Sequence, residues 1–389
     1  MKESIILGID ASRCRSGGTY AHIKGVLNNL DVNKFGIKEV HIWSHPKLLN
    51  QLANETWLFK HSPKLLNGSL INQAYWQARK LRLELKQMSC NILLTLDASS
   101  LCRFQPQVVL SRDMLSYEPG ILQKYKWGFE RVRLLLILWL QNAAFRRADG
   151  VVFLTKYAAT VIQQSCGKLQ NIEIIPHGVD EIFKNIRRSK KLSDANQLIN
   201  CLYISNADLY KNQWHVVHAI ELLRNEGLNI NLTLVGGGKG RAQKILEEQI
   251  LKSDPYRKFV KVLDFVPQSE IPIYLNEADI FIFASSCENM PNTLIEAMAA
   301  GLPIACSNRG PMPEILNQGG VLFDPENPTQ IASAVRELIE NKSVRDIVVQ
   351  KATVNASQYS WQRCSNETFS YVVRVMKKYK NDKARKYSK

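Results

Sequence analysis

The chain contains no C-x-x-C pair. Its eight cysteines stand apart at Cys14, Cys90, Cys102, Cys166, Cys201, Cys287, Cys306 and Cys364, which argues against a zinc site or a disulfide framework. They read as reduced, mostly buried thiols. No stretch reaches the ~18 consecutive apolar residues that a membrane span requires. At the amino terminus, MKESIILGIDAS places Lys2 and Glu3 before only a few apolar residues and offers no small-residue cleavage site, so no signal peptide is read and a cytoplasmic location is expected. No internal repeat with a period of about 20–50 residues occurs, and no low-complexity tract precedes the tail. Acidic residues are scarce: 35 Asp and Glu face 51 Lys and Arg, for a net charge of +16. Such a balance implies a polyanionic partner, whether nucleic acid, an anionic membrane surface or a phosphorylated substrate. Nucleic acid is the least supported, because no aromatic-basic strand module or zinc pattern accompanies the charge.

What is present is ordinary globular composition, 45% hydrophobic and 22% charged over 389 residues. This length exceeds what one core usually organises, so two domains are expected. Short apolar runs alternate with longer helix-period segments, the mark of β-α units and parallel sheets. Strand candidates in the first half are SIILGID, VHIWS, NILLTLD, VVLS and GVVFLT; a second series runs NCLYIS, INLTLVG, KFVKVLDFV, IFIFAS and LPIACS. Between them lies IPHGVDEIFKNIRRSKKLSDANQ, rich in charge and turn residues and the best candidate linker, about 176–198. The tail VRVMKKYKNDKARKYSK starts helix-like and then frays into lysines.

The stretch CENMPNTLIEAMAAGLPIAC sets Glu288 and Glu296 eight apart across Pro291. Thr293 and Glu296 match the T-x-x-E capping box, which would place Glu296 in the first turn of a helix. That pattern leaves Glu288 unexplained. It follows the apolar strand IFIFAS, and the carboxyl ends of doubly wound strands are where ligands bind. A helix amino terminus beside it offers N–H groups and positive dipole to a phosphate. Two carboxylates flanking such a site suit vicinal hydroxyls, and hence a nucleotide sugar: one acid for the sugar, one for the ribose, the diphosphate between them.

ENMPNTLIEAMAAGLPIACSNRGPMPEIL resembles the E-x7-E signature of family 4 retaining glycosyltransferases (glycosyl transferases group 1), enzymes of the GT-B fold. GIDASRCRSGGTYAHIKGVLNNL is similar to their amino-terminal glycine loop, ADGVVFLTKYAATVI with IIPHGVD to their domain junction, and LYISNADLYKNQWHVVHAIELL with LTLVGGG to the start of their nucleotide half. The resemblance implies an α/β protein of two Rossmann-like doubly wound domains facing a cleft. Their expected extents are 1–180 on the acceptor side, 181–360 for the nucleotide sugar, and 361–389 crossing back as a helix with a basic tail. It also implies a metal-independent, retaining hexosyl transfer from a UDP- or GDP-linked sugar to a glycan or lipid-linked acceptor of the envelope polysaccharide or lipopolysaccharide type. No Asp-x-Asp occurs anywhere, and the other large class of nucleotide-sugar transferases uses that motif to hold a divalent metal. No cofactor is expected.

By the same resemblance Lys211 neutralises the donor diphosphate; by itself it reads as a solvated lysine. The arginine usual a few residues earlier is replaced by Ser205, Asn206 and Asp208. Glu288, Lys211, Asp113 and Arg112 form the expected catalytic set, with Arg112 and Asp113 standing where many relatives have His-Asp. The expected donor contacts are Gly17, Gly18, Asn206, Lys211, Gly236, Val266, Glu288, Asn289, Met290, Asn292, Thr293 and Glu296. Gly17 and Gly18 fit either a plain tight turn or close backbone approach to a ligand. GGGKG at 236–240 fails both the dinucleotide fingerprint and the P-loop, because position 241 is arginine and Lys239 precedes Gly240. These glycines fit either a bland turn or a loop passing close to the base. His215 and His218 share a helix face without a third ligand and read as a surface pair.

WGFERVRLLLILWLQNAAFRR sets Arg131, Arg133, Arg146 and Arg147 around LLLILWL. It is either a core helix or an interfacial element with arginines among headgroups. From Lys377 onward seven basic residues accompany Asp382, for solubility or for a peripheral hold on anionic lipid. Rival functions are a GT-B phosphorylase or epimerase and a non-catalytic nucleotide-sugar-binding protein.

Overall fold

The computed structural model describes residues 4–14, 18–186 and 197–387. The chain divides into two compact units: residues 1–178 with 360–389, and residues 179–359. Each is built on one all-parallel sheet.

The first unit holds β1 (Ile5–Asp10), β2 (Ile37–Trp43), β3 (Leu58–His61), β4 (Ile92–Thr95), β5 (Gln107–Leu110), β6 (Gly150–Phe153) and β7 (Ile172–Ile174), in the order β3-β2-β1-β4-β5-β6-β7. The second holds β8 (Ile199–Ile204), β9 (Ile230–Val235), β10 (Val260–Leu263), β11 (Ile280–Phe283), β12 (Ile304–Ser307) and β13 (Val321–Phe323), in the order β10-β9-β8-β11-β12-β13. In both, the chain lays strands outward on one side and then returns to the other side of its first strand. The switch points are therefore β1/β4 and β8/β11, where open α/β sheets bind ligands at the strands' carboxyl ends. Central strands β4, β5, β6, β11 and β12 are buried at every residue. Helices cover both faces of a parallel sheet, which is why these strands read as unbroken apolar runs.

The stretch expected to be a linker is packed at its start: Ile175, His177, Val179 and Phe183 are buried, and Glu181–Lys184 forms a helical turn. These apolar side chains fill core positions, and local charge does not override that. The rest of the stretch, 187–196, lies outside the described residues. The tail also departs from expectation, because one helix runs unbroken from Trp361 to Tyr387. Lys, Arg and Ala are strong helix formers, so the lysines extend the helix where fraying was anticipated. This helix is fastened to the first unit along its length. The Trp361 indole fills the space over Gly25, where an added Cβ would lie 2.2 Å from the ring. Ser365 Oγ donates to Val26 O at 2.8 Å, and Tyr371 Oη donates to Asn171 O at 2.8 Å while accepting from Val151 N at 3.1 Å.

Candidate active site

In the second unit the site is assembled from three loops at the carboxyl ends of β8, β9 and β11. The loop after β8 leads into the helix Gln213–Asn225 through Asn212, whose left-handed backbone (φ 53°) makes the sharp entry. Asn and Asp tolerate that conformation better than other non-glycine residues. Its amide Nδ2 donates to Ala284 O at 2.9 Å and to Ser286 Oγ at 3.2 Å, and Ser286 N donates to Tyr210 O at 2.7 Å. The loops after β8 and β11 are thereby stitched together. Tyr203 Oη donates to Lys211 O at 2.8 Å, fixing the lysine backbone.

These bonds bring Lys211 and Glu288, 77 positions apart, into a direct ion pair between Nζ and Oε1. Both side chains are largely enclosed, 11% and 15% exposed. Lys211 Nζ also lies 5.1 Å from the centroid of the Tyr210 ring and 5.8 Å from that of Phe283. The solvated-lysine reading fails, since the ammonium is held by an acid and two aromatic faces.

Gly236, with φ 132°, lets the loop after β9 press on the loop after β8; a Cβ there would meet Ser205 O at 2.5 Å. Ala207 N donates to Gly237 O at 2.6 Å across the same contact. The glycine run thus serves close backbone approach between two loops. Asn206 is exposed and donates to Asp208 Oδ2 at 2.5 Å. His215 and His218 are half-buried on the helix Gln213–Asn225.

The helix after Glu288 spans Asn292–Ala299, with Pro291 at its N-cap and no side-chain capping bond. The expected capping box does not form. Thr293 is already the second helical residue, which places Glu296 in the second turn. Glu296 turns inward instead: it is buried, and its Oε1 accepts from Gln268 Nε2 at 2.9 Å. Burial pushes its carboxyl up to about 7, and the nearby charge of Asp180 adds to the rise. Val266, two residues before Gln268, is half-buried. Asn289 and Met290 are buried. Asn292 Oδ1 is buried without a partner among the described residues, an acceptor left open beside a helix start whose first N–H groups have no intrahelical acceptor.

In the first unit, Gly18 is the first residue of the helix Gly18–Asn28, while Gly17 lies outside the described residues. Arg112 and Asp113 follow β5. Arg112 sits against the Cys14 thiol, and burial lowers its guanidinium from the ordinary arginine value. Asp113 Oδ1 accepts from Leu115 N at 2.9 Å, and burial raises its carboxyl. Sequence reasoning missed the polar group at the β1/β4 switch point. There the Asp10 carboxylate accepts from Ser12 Oγ and Ser100 Oγ, both at 2.6 Å, and Gln77 Nε2 donates to Ser12 Oγ at 2.7 Å. It also missed His22 and His177, whose Nδ1 atoms lie 2.9 Å apart; burial pushes His177 down to about 3. One signal was available for the acids: SIILGID and NILLTLD both close an apolar strand with aspartate, Asp10 and Asp97.

Comparison with known proteins bears on this arrangement. Residues 183–354 match the family model for glycosyl transferases group 1. That match covers a little under half of the chain. Curated relatives include the O-antigen chain mannosyltransferase B of Escherichia coli, 26% identical over 169 residues, covering 43% of this chain and 44% of that one. The amylovoran biosynthesis glycosyltransferase AmsK of Erwinia amylovora is 34% identical over 154 residues, 37% of each chain. The chain spans from about a fifth to a little over half of the length of the curated relatives it matches. Solved structures align over nearly the full length. Sucrose-phosphate synthase from Thermosynechococcus elongatus has a TM-score of 0.73 at 13% identity, covering 94% of this chain and 97% of that one. Anabaena Alr3699/HepE in complex with UDP-glucose has a TM-score of 0.71 at 16% identity, covering 93% and 98%. The fold is GT-B, two doubly wound α/β units. Among the described residues no group of three or more His, Cys, Asp or Glu is gathered to hold a metal ion, and no helix is long and apolar enough to cross a membrane.

Proposed function

We propose that this protein is a retaining glycosyltransferase that moves a hexosyl group from a nucleoside-diphosphate sugar, UDP- or GDP-linked, to an acceptor hydroxyl. The observation that carries the proposal is the pairing of Lys211 with Glu288 at the β8/β11 switch point, beside the amino terminus of the helix Asn292–Ala299. A cation and free helix N–H groups suit a diphosphate, and a carboxylate next to them suits sugar hydroxyls.

In the proposed reaction the bond from the anomeric carbon to the diphosphate oxygen breaks, and the acceptor oxygen bonds to the same face of that carbon. The acceptor proton passes to the departing phosphate. No side chain is required as nucleophile, so the protein supplies position and charge stabilisation. Lys211, Thr293 and Asn292 hold the phosphates at the helix start, Glu288 with Asn289 and Met290 meets the sugar, and Glu296 takes the ribose. Gly236, Asn206 and Val266 border the base. Positive charge from Lys211 and the helix, with no Asp-x-Asp in the sequence, favours a metal-independent reaction. Relatives named for an O-antigen chain and for amylovoran biosynthesis support a lipid-linked or envelope glycan as acceptor, reached at the inner face of the cell membrane.

The test is a panel of UDP-, GDP- and ADP-sugars, scored by thermal shift and by transfer to glycan acceptors. One nucleotide sugar should raise the melting temperature and be consumed in a Glu288-dependent way. No shift with any donor, or hydrolysis and transfer unchanged in Glu288→Gln, would overturn the proposal.

A further inference from the structure

The helix Phe129–Arg147 of the first unit is buried along Leu134, Gln141 and Phe145, but its opposite face is bare. Phe129 is 83% exposed and Trp139 64%, with Val132 and Leu136 each at 56%. Positions 129, 132, 136 and 139 follow the 3-4-3 spacing of a single helix face. Trp127, 76% exposed, lies just ahead of the first turn. The apolar stripe is ~15 Å long at 1.5 Å per residue. Contiguous apolar surface of this kind marks an interaction site, since isolated exposed residues are ordinary and a stripe of large ones is not.

Charge decides what covers it. The first unit contains 32 Lys and Arg against 14 Asp and Glu, whereas the second contains 19 against 21. All of the chain's excess positive charge therefore belongs to the unit that bears the stripe. The arginines frame it closely: the Arg131 guanidinium lies 4.2 Å from the centroid of the Trp127 ring, and Arg133 is exposed beside Val132. At its far end the same helix lines a groove together with the carboxy-terminal helix, where Arg146, Lys168 and Lys378 outnumber Asp149 and Asp382. A second copy of this chain would oppose like charges across the contact. An anionic bilayer meets both features at once, because Trp and Phe settle at the headgroup level and arginines take lipid phosphates.

We propose that the first unit docks on an anionic phospholipid surface through the Trp127–Trp139 face of this helix, with Arg131 and Arg133 at the headgroups and the basic carboxy-terminal helix adding long-range attraction. The inference is independent of the transfer reaction: a chain inactive as a transferase would dock equally well, so failure of one leaves the other standing.

The test uses the full chain with vesicles of phosphatidylcholine, with and without phosphatidylglycerol, at low and high salt. Wild-type protein should pellet with the anionic vesicles only, and less at high salt. A triple variant, Phe129→Ser with Leu136→Ser and Trp139→Ser, should lose vesicle affinity by at least about tenfold, since each side chain forfeits apolar transfer energy. All three side chains point to solvent, and circular dichroism should match wild type. Brominated lipid should quench wild-type tryptophan fluorescence, and Trp127→Phe with Trp139→Phe should abolish that quenching while pelleting persists. The proposal is overturned if wild type does not pellet, if the triple variant pellets like wild type, or if quenching survives without Trp127 and Trp139. It is also overturned if only a chain ending at Met376 loses binding. A concentration-dependent dimer that the triple variant abolishes would assign the face to a second copy instead.

Discussion

Glutamine at position 296 should stabilise the protein at alkaline pH and do little at or below pH ~4. Glu296 is 5% exposed, accepts one hydrogen bond from Gln268, and is opposed by the charge of Asp180. Its carboxyl titrates at about 7 in the folded protein, against an ordinary value of 4.5. The folded chain therefore holds this proton more tightly than the unfolded chain. Below the unfolded value both states are protonated and no penalty applies. As pH rises toward about 7 the unfolded state ionises first, and stability falls until both states are charged. At 1.36 kcal/mol for each pH unit between the two values, the full cost is about 3 kcal/mol. Glutamine cannot ionise, and its carbonyl can still accept from Gln268.

The assay is calorimetric melting of wild type and Glu296→Gln from about pH 4 to about pH 8 at fixed ionic strength. For a unit of this size, about 3 kcal/mol corresponds to roughly 6–12 °C in melting temperature. The variant should match wild type at the acid end and exceed it by that margin at the alkaline end. Parallel melting curves across the range would show that Glu296 does not titrate there. If the ionised carboxylate takes ribose hydroxyls, nucleoside diphosphate binding should also strengthen in wild type as pH passes about 7. In the variant it should be flat.

Lys211→Ala strips Glu288 of its cation in a site where both side chains are mostly enclosed. Breaking a buried pair costs ~3–5 kcal/mol, which partial exposure discounts to roughly 1–3 kcal/mol. Nucleoside diphosphate binding, read by calorimetry, should suffer far more than binding of the free sugar, and equal losses would contradict a diphosphate role. Glu288→Gln should leave the free diphosphate bound at least as tightly as in wild type while transfer falls on the order of 100-fold, a typical cost of removing one aligned polar group; near-normal turnover would remove Glu288 from the mechanism. Transfer should persist in excess chelator, and an absolute requirement for added magnesium or manganese would refute the metal-independent reading.

The central strands were legible because burial on both faces imposes continuous apolar runs such as IFIFAS and GVVFLT. The edges were not. Strands β3, β7 and β13 are three or four residues long and partly exposed, so neither run length nor alternation marks them. The acids Glu288 and Glu296 stood out by spacing and resemblance, but the environment of Glu296 did not. Its T-x-x-E pattern describes local chain geometry, whereas its actual partner, Gln268, comes from a distant loop. Tertiary burial overrode a local capping preference. For the helix Phe129–Arg147 the sequence left a core helix and an interfacial element both open: LLLILWL looks uniformly apolar, and only packing reveals which side stays exposed.

The pairing of Lys211 with Glu288 constrains how a donor could enter. A lone buried cation or acid would be costly to keep, so each holds the other in place. A diphosphate brings more negative charge than one carboxylate, and an ammonium on a flexible stem can turn its three donors toward it. Lys211 would then exchange Glu288 for phosphate, and the freed carboxylate would recover acceptor capacity for sugar hydroxyls. The two events are coupled: phosphate recognition prepares sugar recognition. Under this scheme the free sugar alone should bind poorly to wild type, because Glu288 is occupied, and nucleoside diphosphate should improve its binding. In Glu288→Gln the diphosphate should no longer aid the sugar. Sugar affinity in wild type that is indifferent to nucleoside diphosphate would mean that the ion pair is scaffolding and takes no part in loading the donor.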